Sequence, residues 1–209
     1  MLMHRTPSLP RKARGFTLVE MMVALALGLL VVAAVLAFIF SLIRANSETV
    51  LSTRLNQEMR ATMALISSDI RRARGLSDPI AAVGKGGAVT NPFKNIDVST
   101  AGCMRYSYSE TAGGATDYRA LRLDNGKVVL VRAATAAAAT CASAGTPLNT
   151  EGVVITGLTF DNPGGSARRI NVVLTGRLKN PPSYMTQNAS MAVSTKTIRQ
   201  IISIRSNGT

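Results

Sequence analysis

An uninterrupted run of 23 uncharged residues, Met21 to Ile43, constrains this chain more than any other stretch. As an α-helix rising 1.5 Å per residue it would extend about 35 Å, against a bilayer hydrocarbon core of about 30 Å. Water is a poor solvent for so much apolar surface, so the run must span a membrane or be covered by protein. A basic tail precedes it: Arg5, Arg11, Lys12 and Arg14 lie within the first fifteen residues, ahead of every acidic residue. Basic then apolar is the order of a targeting or anchoring segment, and with only Arg44 on the far flank it directs the N-terminus to the cytoplasmic side. A secretory apolar core is usually about 7 to 15 residues and ends at a small-residue cleavage site. The nearest candidate, Val35-Leu36-Ala37, lies deep inside the run, so cleavage there is not expected.

Composition weakens most enzyme readings and leaves open a carboxylate-only hydrolase, to which nothing in the spacing points. The single histidine, His4, sits in the basic tail, so no histidine-based metal site, dyad or triad can form in the body of the chain. Two cysteines cannot supply the four thiolates of a structural zinc site, and no phosphate loop, dinucleotide fingerprint or HExxH occurs. No enzymatic activity, cofactor, catalytic residue or metal site is expected. Beyond the tail, twenty cations face eleven acids. That excess can steer nucleic acid or anionic lipid toward the chain, but the basic residues are scattered and aromatics are 4% of the sequence, leaving few stacking platforms. A solvated basic surface is favoured over a nucleic-acid patch.

Glu20 does not fit a plain anchor. It stands at the threshold of the apolar run, where an ionised carboxylate facing lipid costs several kcal/mol unless it is paired, neutralised or held at headgroup level. Its context is Lys12-Ala13-Arg14-Gly15-Phe16-Thr17-Leu18-Val19-Glu20. This stretch resembles the leader of type IV prepilins and type II secretion pseudopilins: a short basic segment, a glycine, then Phe-Thr-Leu-x-Glu opening a long apolar helix. The resemblance covers about thirty residues. It implies that a prepilin peptidase cuts between Gly15 and Phe16 on the cytoplasmic face, that Phe16 becomes an N-methylated first residue, and that Glu20 takes the part of the fifth mature residue.

The physics of that arrangement is general. Removing residues 1–15 strips four cations and creates an α-amino group on Phe16, a compact partner for a carboxylate in a medium of low dielectric. In a stack of subunits the Glu20 of one chain can neutralise the Phe16 amine of its neighbour, and breaking the pair would strand a buried charge at about 3 to 5 kcal/mol. Apolar helix packing in a filament core replaces the lipid contact that each subunit gives up.

Beyond Ile43 the helical pattern continues. Leu51, Leu55, Met59, Thr62, Ile66, Ile70 and Ala73 form one stripe with Met63 and Leu65 beside it, while Arg54, Glu58, Arg60 and Arg71 point elsewhere. Gly75 and Pro79 supply a C-terminal stop, with Arg71, Arg72 and Arg74 favourable in the last turn. A helix from Phe16 to Arg74 would run about 88 Å. Residues 60–71, ending Asp69-Ile70-Arg71, also resemble the helix end of PilW-type minor pilins, though minor pseudopilins of the J type carry a similar run. On its own, Asp69-Ile70-Arg71 reads as a solvated charge pair around a core isoleucine. Many major pilins carry a proline about twenty residues into the mature chain; Ala37 occupies that place here, so the kink of those helices is not carried over.

Gly75 to Thr116, rich in Gly, Ser, Thr, Ala and Asp, reads as an extended loop region. Tyr118–Leu123 and Lys127–Ala133 flank Asp124-Asn125-Gly126 and read as a β-hairpin. Ala133 to Ala144 is Ala-rich and fits either a short helix or a loop. Val153–Phe160, closed by Asp161-Asn162-Pro163-Gly164-Gly165, should pair with Arg169–Leu178, and Ile198–Ile204 supplies another strand. About five strands with one apolar face can rest on the amphipathic half of the helix. The fold class is therefore α+β and pilin-like: a long N-terminal helix packed on an antiparallel β-sheet. Its parts are a leader (1–15), a membrane-spanning half-helix (16–43), an amphipathic half-helix (44–75) and a β-rich domain (76–209). In an oxidising periplasm Cys103 and Cys141 favour a disulfide over two free thiols, tying the loop region to the Ala-rich segment and stabilising by about 4 kcal/mol.

Together these readings point to a minor type IV pilin of PilW type. It would be a single-pass inner-membrane protein with a periplasmic C-terminal domain, entering the pilus after processing. The resemblance implies as partners a prepilin peptidase, other minor and major pilins, the inner-membrane assembly machinery and the membrane. A J-type pseudopilin and a DNA-uptake pilin, the latter motivated by the basic excess, are the alternatives.

Overall fold

The computed structural model describes residues 15–73, 95–109, 115–162, 169–182 and 195–204. The leader charges, the Gly75–Pro79 helix stop, much of the Gly75–Thr116 stretch and the Pro163-Gly164-Gly165 turn lie outside them. The order is one helix, α1 (Leu18–Arg72), then β1 (Cys103–Tyr108), β2 (Asp117–Asp124), β3 (Lys127–Ala133), β4 (Thr146–Pro147), β5 (Val153–Asp161), β6 (Arg169–Leu178) and β7 (Thr195–Ser203). The chain divides into two compact units, Met1–Ser47 and Glu48–Thr209, so the boundary falls within α1.

In the first unit the apolar residues of α1 are exposed throughout, from Leu18 at 76% to Ile43 at 56%. In the second, α1 is amphipathic. Of the stripe, Leu55, Met59, Thr62, Ile66, Ile70 and Ala73 are buried with Met63 beside them, while Leu51, at the near end of the second unit, is half-buried. Leu65 is 49% exposed, because it lies a third of a turn off the stripe.

The strands form two antiparallel sheets rather than one, ordered β1-β2-β3-β4 and β5-β6-β7. Among the described residues, seven strands stand where about five were expected. One of the additions, β1, falls inside the stretch read as loop. Its sequence Cys-Met-Arg-Tyr-Ser-Tyr alternates, placing Met104, Tyr106 and Tyr108 on the buried face. The period of two was present, masked by the polar composition around it.

The β2–β3 hairpin closes as its sequence demands. Asp124 pairs with Lys127, and Asn125 and Gly126 take positive φ of 47° and 78°, the two-residue turn whose twist matches the strands. The β5–β6 pair carries a bulge between Ile155 and Gly157. Both sheets turn their apolar faces to the second half of α1, so that Met104, Leu121, Leu130, Ile155, Ile170, Val172, Leu174 and Ile202 share one core with the helix stripe. On β6 the approach is close: a Cβ on Gly176 would stand 2.6 Å from Met59 Sδ and 3.1 Å from Ile155 Cδ1, so a larger residue there would have to displace those side chains.

Asn149 ties the sheets together. Its buried side chain accepts from the Val128 backbone N–H at 2.8 Å and donates to the Val153 carbonyl at 2.9 Å, joining the first turns of β3 and β5. Glu58 of α1 accepts from the Thr150 N–H at 2.5 Å, holding the same loop to the helix.

Candidate assembly segment and polar anchors

The chain enters α1 through Gly15, Phe16 and Thr17, none of them helical. Thr17 is the N-cap: its carbonyl accepts the first helical bond from the Met21 N–H at 3.2 Å, and its hydroxyl oxygen accepts from the Glu20 N–H at 3.3 Å. The Thr-x-x-Glu spacing is that of a capping box, and Glu20 also places its negative charge in the first turn, where the helix dipole favours it. The cap uses the backbone of Glu20. Its carboxylate is exposed and remains available to an outside partner.

Gly15 has no atom within 4 Å of where a Cβ would stand, and Phe16 is 78% exposed. Among the described residues nothing packs against Gly15 or the Phe16 side chain. In the single chain Phe16 and Glu20 are both exposed. The helix that follows is long and apolar enough to cross a membrane.

Cys103 and Cys141 form a disulfide, with Cα atoms 5.9 Å apart. It fastens the Ala-rich segment, a series of turns rather than a helix, to the first sheet. Cys103, Arg105 and Arg122 project from the face opposite Met104 and Tyr106, following the strand alternation. Arg105 donates through Nε to the Ala139 carbonyl at 2.9 Å and through Nη2 to that of Ala136 at 3.1 Å, while Arg122 donates to the carbonyl of Ser143 at 3.2 Å. One covalent bond and three charge-assisted hydrogen bonds hold a segment that has no apolar period of its own. A cleft of about 280 Å³ opens beside it, lined in part by Asp97, Arg105, Ser107, Tyr118 and Ala136. The Asp97 carboxyl there is held below its ordinary range, chiefly by hydrogen bonds from the Ser99 hydroxyl and backbone N–H, with Arg105 adding to the effect.

Asp69 is not the solvated charge that its sequence context suggests. Its carboxylate accepts from the hydroxyl of buried Tyr106, fixing the last turns of α1 to β1. Sequence reasoning missed this contact because the partner lies 37 residues away on an unrecognised strand. Burial, reinforced by the negative charge of Asp69, holds the Tyr106 hydroxyl well above its ordinary ionisation range. A raised folded-state value means a contribution to stability that is complete below the unfolded value of about 10 and fades as pH rises beyond it. The urea midpoint of the full chain in nonionic detergent should therefore fall more steeply above about pH 10 than that of Tyr106→Phe. The variant itself should be weaker by about 1 to 3 kcal/mol at neutral pH, where it strands Asp69. Parallel pH profiles for the two proteins would contradict this assignment.

Two family models match. Prokaryotic N-terminal methylation motif covers residues 10–36, and prepilin peptidase-dependent protein B covers residues 48–195. No curated protein and no solved structure matches the chain. The first match falls on the capped segment that leads into the apolar helix and on much of that helix, and the second takes in the amphipathic half of α1 with strands β1 to β6 and the disulfide, stopping at the start of β7. Since the second alone spans well over half of the sequence, the chain belongs to the family of prepilin peptidase-dependent protein B and is a type IV pilin-like protein.

Proposed function

We propose that the chain is a minor type IV pilin of PilW type, a structural subunit that helps to initiate or assemble the pilus. The observation that carries this reading is the first unit of α1: an apolar helix exposed along its whole length, opened by Gly15 and Phe16, against which no described residue packs, and by a first-turn Glu20 whose carboxylate is not used by the cap. Such a helix has two stable environments, lipid before assembly and neighbouring helices after it.

In this reading residues 1–15 are removed at the cytoplasmic face by a prepilin peptidase and the new Phe16 amine is methylated. Residues 16–43 span the inner membrane, residues 44–75 form the amphipathic half of the helix, and residues 76–209 form a periplasmic domain in which the Cys103–Cys141 disulfide persists. Phe16 and Glu20 of successive subunits pair in the filament. The other minor pilins, the major pilin and the inner-membrane assembly machinery are the partners.

A deletion strain separates this role from that of a type II secretion pseudopilin, which would share the leader and the helix. Surface pili should be lost or sharply reduced while secreted enzymes still reach the medium, and the intact gene should restore the pili. Normal piliation with blocked secretion would assign the chain to the secretion system instead.

A further inference from the structure

The two sheets differ in how their cations are balanced. On the first sheet and its loops Arg105 lies 3.7 Å from Asp97, Arg119 3.3 Å from Asp117, Arg122 3.0 Å from Asp124 and Lys127 3.4 Å from Glu151, which leaves Arg132 as the one cation of its strands without an ion pair among the described residues. On the second sheet Arg169, Arg177, Lys196 and Arg199 are exposed, and none has an ion pair among the described residues. The only acid on its three strands is Asp161.

The three arginines share one face. On β6 Ile170, Val172, Leu174, Gly176 and Leu178 turn inward to α1, so Arg169, Asn171, Val173, Thr175 and Arg177 turn outward. The register places Arg199 opposite Val173 and Thr197 opposite Thr175, and a 3.0 Å bond between the Thr175 and Thr197 hydroxyls confirms the shared face. Arg199 thus sits level with the midpoint between Arg169 and Arg177. At about 3.3 Å per residue, successive cationic levels are about 13 Å apart. The major groove of duplex DNA is about 12 Å wide, so adjacent levels match phosphates on its two rims. Thr175 and Thr197, between Arg177 and Arg199, are side chains suited to phosphate oxygens. Asn171, between Arg169 and Arg199, is flanked on the same face by Asp161 and the exposed Ile201, so phosphate contact centres on Arg177, Arg199 and the two threonines, with Arg169 at the margin.

We infer that the outward face of β6 and β7 binds the phosphate backbone of duplex DNA without reading its sequence. A protein partner is disfavoured, because the centre of the face is charged and it carries no aromatic residue, the reverse of a protein interface core. The inference does not rest on the filament role proposed above.

The test uses the full chain in nonionic detergent and a fluorescein-labelled duplex of about two helical turns, followed by anisotropy across a salt series. Arg169→Gln/Arg177→Gln/Arg199→Gln should weaken binding at least tenfold at low salt and reduce the slope of log K against log salt by about three. Each single substitution should reduce it by about one, which keeps the test informative if the triple variant folds poorly. Arg122→Gln/Lys127→Gln, at ion-paired positions of the first sheet, should leave the slope unchanged, and the basic leader cancels because every chain compared carries it. Absent or salt-insensitive binding overturns the inference. So does a triple variant with the unsubstituted slope, or poly-glutamate that binds while the duplex does not.

Discussion

Glu20→Ala should insert into the membrane and fold as the unsubstituted chain does, yet enter filaments less by a factor of about 100 or more. The substitution leaves the helix start intact, because the Thr17 hydroxyl bonds to the backbone N–H of residue 20 and not to its side chain. It also removes a charge that lipid disfavours, so insertion should not suffer. What is lost is the partner of a neighbouring Phe16 amine. An ammonium left alone in a packed apolar interface costs about 3 to 5 kcal/mol, and each 1.4 kcal/mol is about a factor of ten. Quantifying the chain in sheared pili against the membrane fraction would measure it. Thr17→Val is the complementary control: it costs the cap about 1 kcal/mol while leaving the pairing intact, so its effect on incorporation should be far smaller. Equal incorporation of Glu20→Ala and the unsubstituted chain would show that the acid serves only the helix terminus.

Replacing both Cys103 and Cys141 by serine should lower the stability of the second unit by about 4 kcal/mol, the loop-closure value for residues 38 apart. A large share of a typical domain's stability is at stake. The loss should begin locally. Without the bond, the Ala-rich segment keeps its hydrogen bonds to Arg105 and Arg122, both on partly exposed side chains, and the small buried contact of Ala139. Behind it lie Ala120, Val129 and Val131, a small apolar cluster on the outer face of the first sheet. Amide exchange around residues 134–145 should quicken first, followed by β3, while β6 remains protected until global unfolding. Thermal unfolding of the full chain in detergent, with and without reductant, gives the total. Unchanged stability on reduction would mean that the arginine bonds suffice.

The parts of this fold legible in the sequence are those governed by local rules. Asn125-Gly126 between two β-rich runs specified its own turn, and the 3.6-residue stripe from Leu55 to Ala73 marked the buried side of α1. The β5–β6 pairing followed from adjacency and alternation. Composition obscured β1, where three inward residues alternate with polar ones in a polar neighbourhood. The division into two sheets was not legible, because both present the same apolar face to the same helix and the Asn149 bridge between them joins Val153, four residues on, to Val128, 21 residues back. Asp69 was misread for a related reason: a carboxylate beside arginines looks solvated until a tyrosine from a distant strand is placed against it. In the assembly segment, the leader resemblance supplied Gly15, Phe16 and Glu20, but only the folded helix start distinguishes the part of Glu20 that caps the helix from the part that does not.

Mass spectrometry of the N-terminal peptide from chain recovered in the membrane and in pili bears most directly on whether this is a processed filament subunit. The account predicts a peptide that begins at Phe16 and carries one additional methyl group, with residues 1–15 absent. A mature protein that retains Met1 to Gly15, or that begins beyond the apolar run, would contradict it.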